Sequence, residues 1–422
     1  MRKSQAKVRN SLIAALDVGT TKICCFIARV DDEGNLRVVG IGHHSADGLR
    51  AGTIVDVEAA EMSILAAVQA AEQMAGEQIR EVIVNLSGGQ PESHTLNFEV
   101  SIAGHEVSDA DVRKVLAHGR NQSESVEREL IHCVPVGYTI DGSKGIRDPR
   151  GMYGERLGIN MHLITASSGA VRTLVTCIQR CHLDVAALVV SPYAAALSAL
   201  VEDEMNLGAT VIDMGGGTTS IAVFYDGKLV HADCVPIGGS HVTSDIARGL
   251  STPLAHAERM KTLYGSAVPA PADAHDMIDV PLVGEEDRAQ ANHVPRSLLV
   301  NIIQPRLEET LEHIRARLEA SGCDKIAGRR VVLTGGASQL QGVQELAAGV
   351  LDKQVRRGRP LRIGGLAEAT GGPAFATCAG LLTYAVSKHA EAPSALAPRL
   401  RADGDEPAGM FGRFGVWLRE NF

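Results

Sequence analysis

Two short stretches of this 422-residue chain carry the residue types that hold a polyphosphate. They are Ile13-Ala14-Ala15-Leu16-Asp17-Val18-Gly19-Thr20-Thr21-Lys22-Ile23 and Val211-Ile212-Asp213-Met214-Gly215-Gly216-Gly217-Thr218-Thr219-Ser220-Ile221. Each is an apolar run, an acid, a glycine turn with paired threonines and a second apolar run. Glycine lets backbone N–H groups approach phosphate oxygens, and threonine hydroxyls add donors. An aspartate at the strand end meets Mg2+ through waters, because that ion gives up its hydration shell reluctantly. One such turn alone is an ordinary hairpin. Two in the same register, roughly 200 residues apart, predict two lobes with a cleft between them. A third glycine turn, Leu333-Thr334-Gly335-Gly336-Ala337-Ser338, follows a strand and opens a helix, where an adenosine can lie against backbone. Together the three turns read as a nucleotide cleft.

Composition sets the frame for that cleft. At 45% hydrophobic and 22% charged residues the chain has the profile of a globular protein of about three domains. Forty-one Lys and Arg against fifty Asp and Glu give a net charge of −9, which argues against a nucleic-acid partner. The basic start (Arg2, Lys3, Lys7, Arg9) is followed by an apolar stretch that ends at Asp17, shorter than an export signal needs. No apolar run is long enough to span a bilayer, and the eight cysteines form no Cys-x-x-Cys pair. Cys177 and Cys181, one helical turn apart, read as helix packing. The expectation is a cytoplasmic protein.

Strand periodicity predicts strands at 12–16, 23–30 and 36–43, a helix over 57–74 and a strand at 79–86. From about 87 to 164 the pattern changes to strands (95–102, 130–140) around a polar helix at 108–120, an inserted α+β unit. The α/β pattern then resumes with a strand at 185–191, a helix at 192–204, strands across 210–235 and helices near 241–249 and 254–264. A loop is expected at 266–296, then a helix over 297–320, a strand at 330–333, and helices at 340–351 and 374–388.

These motifs resemble the superfamily of actin, Hsp70 and sugar kinases. The first hairpin (Asp17–Lys22), a connecting helix (Pro192–Leu200), the second hairpin (Asp213–Thr219), the adenosine turn (Gly335–Ser338) and a second connecting helix (Phe375–Ala385) follow in that superfamily's order. Within it the chain is most similar to the bacterial cell-division FtsA family. The likeness lies in Pro236-Ile237-Gly238-Gly239, Val242-Thr243-Ser244-Asp245-Ile246-Ala247, Gly151-Met152-Tyr153-Gly154, Gln304-Pro305-Arg306, residues 202–208 and the C-terminal tail.

The resemblance implies a two-lobed actin-like, ribonuclease H-like α/β fold with an inserted α+β subdomain and a C-terminal amphipathic helix. It divides the chain into lobe 1 core (10–86 and 165–207), insertion (87–164), lobe 2 core (208–248 and 301–365), small lobe 2 subdomain (249–300), lobe 1 closing helix (366–388), linker (389–408) and membrane-targeting helix (409–422). It also implies ATP and Mg2+ as cofactors. Asp17, Gly19, Thr20, Thr21 and Lys22 would hold phosphates on one side, and Gly215, Gly216, Gly217 and Thr218 on the other. Asp17 and Asp213 would meet Mg2+ through water. Glu258, Lys261, Gly335, Gly336 and Ser338 would contact adenosine, although a Glu–Lys pair three apart is by itself an ordinary surface ion pair.

In related filament-forming homologues a Glu precedes Pro-x-Ala-Ala-Ala and activates the attacking water. Here that position is Ser191, read also as a helix cap with Pro192 following. No catalytic residue is therefore assigned, and at most a slow ATPase is expected.

The tail, residues 409–422, holds four of the chain's fourteen aromatic residues, including its one tryptophan. At about 100° per residue, Met410, Phe411, Phe414, Trp417, Leu418 and Phe422 share one side, flanked by Arg419. Such a helix lies in a membrane headgroup layer, and the alternative is docking on the globular body. The resemblance implies partners: the C-terminal peptide of the tubulin-like protein FtsZ, with Arg306 as its contact; further copies of the chain in filaments or rings; the cytoplasmic membrane surface; and later division proteins. The implied place is the cytoplasmic face of the inner membrane at the septum. Rival readings are a small-molecule kinase and a pilus-assembly scaffold of the same superfamily.

Overall fold

The computed structural model describes residues 12–31, 34–121, 127–284, 292–361 and 363–387. The linker and tail expected at 389–408 and 409–422 lie outside the described residues.

The chain opens with the apolar strands β1 (Leu12–Val18), β2 (Lys22–Val30) and β3 (Leu36–Ser45), paired antiparallel, and a two-rung ribbon β4 (Leu49–Arg50) and β5 (Thr53–Ile54). Helix α1 (Val57–Ala75) starts where Asp56 accepts from the Glu58 and Ala59 amides and ends at Gly76 in the left-handed conformation. Its stripe of Ala60, Ile64, Ala67, Val68 and Ala71 is buried on the sheet. Strand β6 (Glu81–Leu86) then pairs parallel with β1.

The insertion follows: β7 (Glu92–Ser101), α2 (Asp109–Asn121), β8 (Arg128–Ile140), β9 (Ser143–Ile146) and β10 (Arg156–Ser167). Its strands form an antiparallel sheet in the order β7-β10-β8-β9. The insertion runs past its expected end at about 164, because the twelve-residue β10 continues to Ser167. Lobe 1 resumes at α3 (Ser168–Arg180) and β11 (Asp184–Val190), which completes the sheet β11-β6-β1-β2-β3.

The helix expected over 192–204 is two helices, α4 (Ser191–Ala199) and α5 (Glu202–Leu207). Leu200 and Val201 are extended, and the Glu204 side chain accepts from the Val201 amide at 3.2 Å, which starts the second helix afresh.

Lobe 2 repeats the plan of lobe 1. Strands β12 (Ala209–Met214), β13 (Thr219–Tyr225) and β14 (Lys228–Val235) pair antiparallel. Helices α6 (Gly239–Leu250) and α7 (Leu254–Tyr264) follow. Within the expected loop at 266–296, β15 (Met277–Val280) and β16 (Asn292–Pro295) pair as an antiparallel ribbon. The long α8 (Arg296–Ala320) leads to β17 (Arg330–Thr334), α9 (Val343–Leu351) and β18 (Gln354–Arg357), and α10 (Ala376–Val386) closes the described chain. A 3-10 turn at Gly336–Gln339 and the left-handed Gly342 delay the helix that was expected from 340. The second sheet runs β14-β13-β12-β17-β18: three antiparallel strands, then two parallel ones, the same order as in lobe 1.

The lobes meet along α4 and α10, which cross so closely that a Cβ at Gly380 would lie 1.7 Å from the Ala194 carbonyl oxygen. The insertion bridges the lobes a second time. Ser93 on β7 donates to the Ala232 carbonyl (2.7 Å) and accepts from its amide (2.8 Å). His162 on β10 sits 3.0 Å from both Ser93 Oγ and the Leu229 carbonyl. Lys228 donates to the Val136 carbonyl at 2.9 Å, and Arg147 pairs with Asp226. The edge strand β14 is thereby covered.

Candidate nucleotide cleft

Strands β1 and β12 each deliver an aspartate at the carboxyl end, where open α/β sheets bind ligands. Asp17 and Asp213 are both 8% exposed. Beyond them the two hairpins close with the same turn: the Gly19 amide donates to the Lys22 carbonyl at 3.1 Å, and the Gly215 amide to the Thr218 carbonyl at 2.9 Å. The turns face each other. A Cβ at Gly216 would lie 2.5 Å from Thr21 Oγ1, and one at Gly217 would lie 2.4 Å from Thr20 Oγ1, so side chains there would force the hairpins apart. The start of α6 backs the second turn, with Gly239 and Ser240 amides donating to the Gly215 and Gly216 carbonyls at 2.9 and 2.8 Å.

Each aspartate has a partner the sequence did not reveal. Asn85 Nδ2 donates to Asp17 Oδ1 at 2.7 Å, and Thr377 Oγ1 to Asp213 Oδ2 at 3.1 Å. Burial pushes the Asp17 carboxyl up to about 7, against the pull of Lys22 and with a small push from Asp213. Burial likewise raises Asp213 to about 6, opposed by the Thr377 hydrogen bond and by Lys22. Two carboxyls held this far from their solution values are poorly compensated by protein charge. Lys22 itself donates to the Ala374 carbonyl at 2.7 Å and lies 3.4 Å over the Phe375 ring.

A cavity of about 710 Å3 opens beside the hairpins. Of the expected residues, Thr21, Gly215, Gly216, Glu258, Lys261 and Gly336 line it. Glu258 and Lys261 form more than a surface pair. Lys261 Nζ donates to Glu258 Oε2 at 2.7 Å, to Thr243 Oγ1 at 2.9 Å and to the Gly239 carbonyl at 3.2 Å, and Thr243 donates to Glu258 at 2.5 Å. Gln339 and Gln341, which the motif reading passed over, also line the cavity. Ser338 does not: it is 1% exposed, and its hydroxyl donates to the Gly335 carbonyl at 2.7 Å. Gly335 lies outside the wall too, its amide donating to the Pro373 carbonyl at 3.1 Å. Gly19, Thr20, Lys22, Gly217 and Thr218 belong to the hairpins and not to the cavity wall.

Ser191 does not cap its helix. Val190 occupies the cap position, and Ser191 is already the first helical residue. Its hydroxyl turns instead to Ser87 Oγ at 2.8 Å and accepts from Asn85 Nδ2 at 3.1 Å. Arg306, on α8, is held within the protein: Nε donates to Asp245 Oδ2 at 2.5 Å, Nη2 to Oδ1 at 3.2 Å, and Nη1 to Glu309. Met410, Phe411, Phe414, Trp417, Leu418 and Phe422 lie outside the described residues.

A family model described as "Cell division protein FtsA" matches residues 210–380, and one described as "SHS2 domain inserted in FTSA" matches residues 88–165. The cell division protein FtsA of Rhizobium meliloti (strain 1021) is 46% identical over 424 residues, covering 98% of this chain and 96% of the relative. That of Escherichia coli (strain K12) is 32% identical over 422 residues, covering 97% and 98%. Among solved structures, a PilM-PilN type IV pilus biogenesis complex matches 90% of this chain and 100% of that one, with a TM-score of 0.63 at 18% identity. MreB5 of Spiroplasma citri bound to ADP matches 90% and 97%, with a TM-score of 0.52 at 14% identity. Those two likenesses establish the fold alone, which is actin-like.

Proposed function

The chain belongs to the FtsA family of cell division proteins, and on that premise we propose that it binds Mg-ATP and ties FtsZ filaments to the inner face of the cytoplasmic membrane, helping to assemble the division ring. One observation carries the nucleotide half of this reading: two Asp-Gly-Thr hairpins meet face to face beside a cavity of about 710 Å3 whose wall also holds Glu258, Lys261 and the Gly336 turn.

The Gly19–Thr21 and Gly215–Thr218 turns would hold the phosphates, and Lys261, Glu258 and Gly336 would hold the adenosine. Asp17 and Asp213 fit a hydrated Mg2+, because buried carboxylates at strand ends favour a cation that compensates them. The ion, when bound, neutralises phosphate charge. Lys22, which donates to the Ala374 carbonyl, would supply the positive charge for a phosphate oxygen. Ser191 places a hydroxyl where a general base would stand, so the cleft retains ATP and turns it over slowly.

The membrane half rests on the sequence of residues 409–422, and the FtsZ half on Arg306 at the edge of α6 and α8. The chain self-associates, recruits later division proteins and works at the septum. Against the kinase and pilus-scaffold alternatives stands near full-length identity of 32–46% with FtsA proteins, against 18% with the pilus protein.

The test is recruitment of fluorescent FtsZ to vesicles of anionic and zwitterionic lipid by purified full-length protein with Mg-ATP. FtsZ should coat the vesicles. Trp417→Glu should leave both proteins in solution, and Arg306→Glu should leave this protein on the vesicles without FtsZ. Coating that ignores both substitutions overturns the reading.

A further inference from the structure

We infer that Asn85 is the positioning residue of the Asp17 carboxylate, and through it of the divalent cation that accompanies the nucleotide; the inference deepens the Mg-ATP reading and rests on it. Asn85 is an anomaly where it stands. It lies at the carboxyl end of β6, flanked in the sheet by β1 and β11, among Val82, Val84 and Leu86, and is 1% exposed. A buried amide in such a run persists where its hydrogen bonds are complete.

Its orientation follows from its partners. The Val18 amide, 2.6 Å away, can only donate, so Oδ1 faces it. Nδ2 then faces Asp17 Oδ1 at 2.7 Å, with Ser87 Oγ at 2.9 Å and Ser191 Oγ at 3.1 Å. The β1–β6 ladder is registered at Ala15–Ile83 and Leu16–Val84, and the Asn85 side chain ties the two strands together beyond those rungs. Among the described residues Asn85 is the hydrogen-bond partner of the Asp17 side chain. One carboxylate oxygen is thus anchored from within the sheet, and the other carries no hydrogen bond among the described residues. A metal-facing carboxylate gains affinity when an outer partner fixes its direction.

Ser87 and Ser191 complete the arrangement. Their oxygens are 2.8 Å apart, so one hydroxyl donates to the other. Both also border Nδ2, which keeps the amide from rotating away from Asp17. No turn motif marks this cluster, because its members come from β1, β6, the segment after β6 and the start of α4.

The test is calorimetric titration of the full-length protein with ATP over a series of Mg2+ concentrations, with EDTA as the metal-free arm. Asn85→Leu matches the amide in shape and removes its hydrogen bonds. The Mg2+ concentration giving half of the affinity gain should rise about tenfold or more, while affinity in EDTA stays at the wild-type value. In an Asp17→Asn background the same substitution should add no further shift, as expected for residues that act as one unit. Asn85→Ser, which keeps a shorter donor, should fall between and serves if the Leu variant fails to fold. An unchanged Mg2+ midpoint in the folded variants, or an equal shift in both backgrounds, overturns the inference and leaves the nucleotide reading standing. A wild-type protein whose ATP affinity ignores Mg2+ overturns both.

Discussion

Asp245 holds Arg306 at two points, Nε to Oδ2 at 2.5 Å and Nη2 to Oδ1 at 3.2 Å, from α6 across to α8. The hydrogen bonds that Arg306 donates to Asp245, and the charges of Asp245 and Glu309, push the guanidinium further up from its already high pKa. Arg306 is therefore preorganised but occupied, and an acidic peptide reaching it competes with Asp245. Removing the competitor should tighten such a complex. Asp245→Ala is expected to bind the FtsZ C-terminal peptide severalfold more tightly than wild type by fluorescence anisotropy, and Arg306→Ala to lose binding. Weaker binding by Asp245→Ala would mean that the ion pair, rather than the free arginine, builds the surface.

The buried aspartates predict a pH dependence with a definite sign. In the unfolded chain a carboxyl titrates near 4. In the folded protein Asp17 and Asp213 titrate at about 7 and about 6. The folded state therefore holds more protons between about pH 4 and 7. Stability from this source is full below that window and is lost as pH rises through it. Without ligand, melting temperature should fall from pH 5 to pH 8. Asp17→Asn should flatten that slope, and Mg-ATP, which takes the ionised carboxylates, should reverse it. A wild-type slope retained in Asp17→Asn would assign the titration elsewhere.

The second bridge between the lobes is testable by exchange. Ser93→Ala leaves the Ala232 amide and His162 without a shared hydroxyl at a buried junction, a loss of about 1–3 kcal/mol. Hydrogen exchange should quicken along β14 while β17 and β18 at the far side of the sheet keep their protection. Unchanged protection of β14 in the variant would show that its order does not depend on Ser93.

Ser191 bears on rate. Purified wild-type protein should release phosphate far below the ~10 s⁻¹ of a typical metabolic enzyme. Ser191→Glu supplies the missing carboxylate next to Asn85 and Ser87, and should raise the rate while ATP affinity changes less. Turnover at an ordinary enzymatic rate in wild type would point to another base.

The hairpins were legible because strand alternation and glycine turns are local properties. A run such as Leu12–Val18 followed by Gly19 and Thr20 fixes its own conformation within a dozen residues. The repeat extended that reading to the two-lobed plan, since two like units must bury like faces. Periodicity failed where elements are short or end on long-range contacts. The ribbon of Met277–Val280 and Asn292–Pro295 has four residues a side and no alternation to see. The break after α4 depends on Glu204 reaching back to Val201.

The polar partners were invisible for a different reason. Asn85 meets Asp17 across 68 residues, Thr377 meets Asp213 across 164, and Arg306 meets Asp245 across 61. Which acceptor a donor finds is decided by where strands and helices cross, and no window along the chain contains that information. The residue types at the cleft could be read along the chain, whereas the apolar helix face expected at 409–422 lies outside the described residues. That Ser191 turns its hydroxyl to Ser87 and Asn85 instead of capping its helix, and that Ser338 donates its hydroxyl to Gly335, follows from packing across the fold. In both cases a buried polar atom must take the partner that packing leaves within reach.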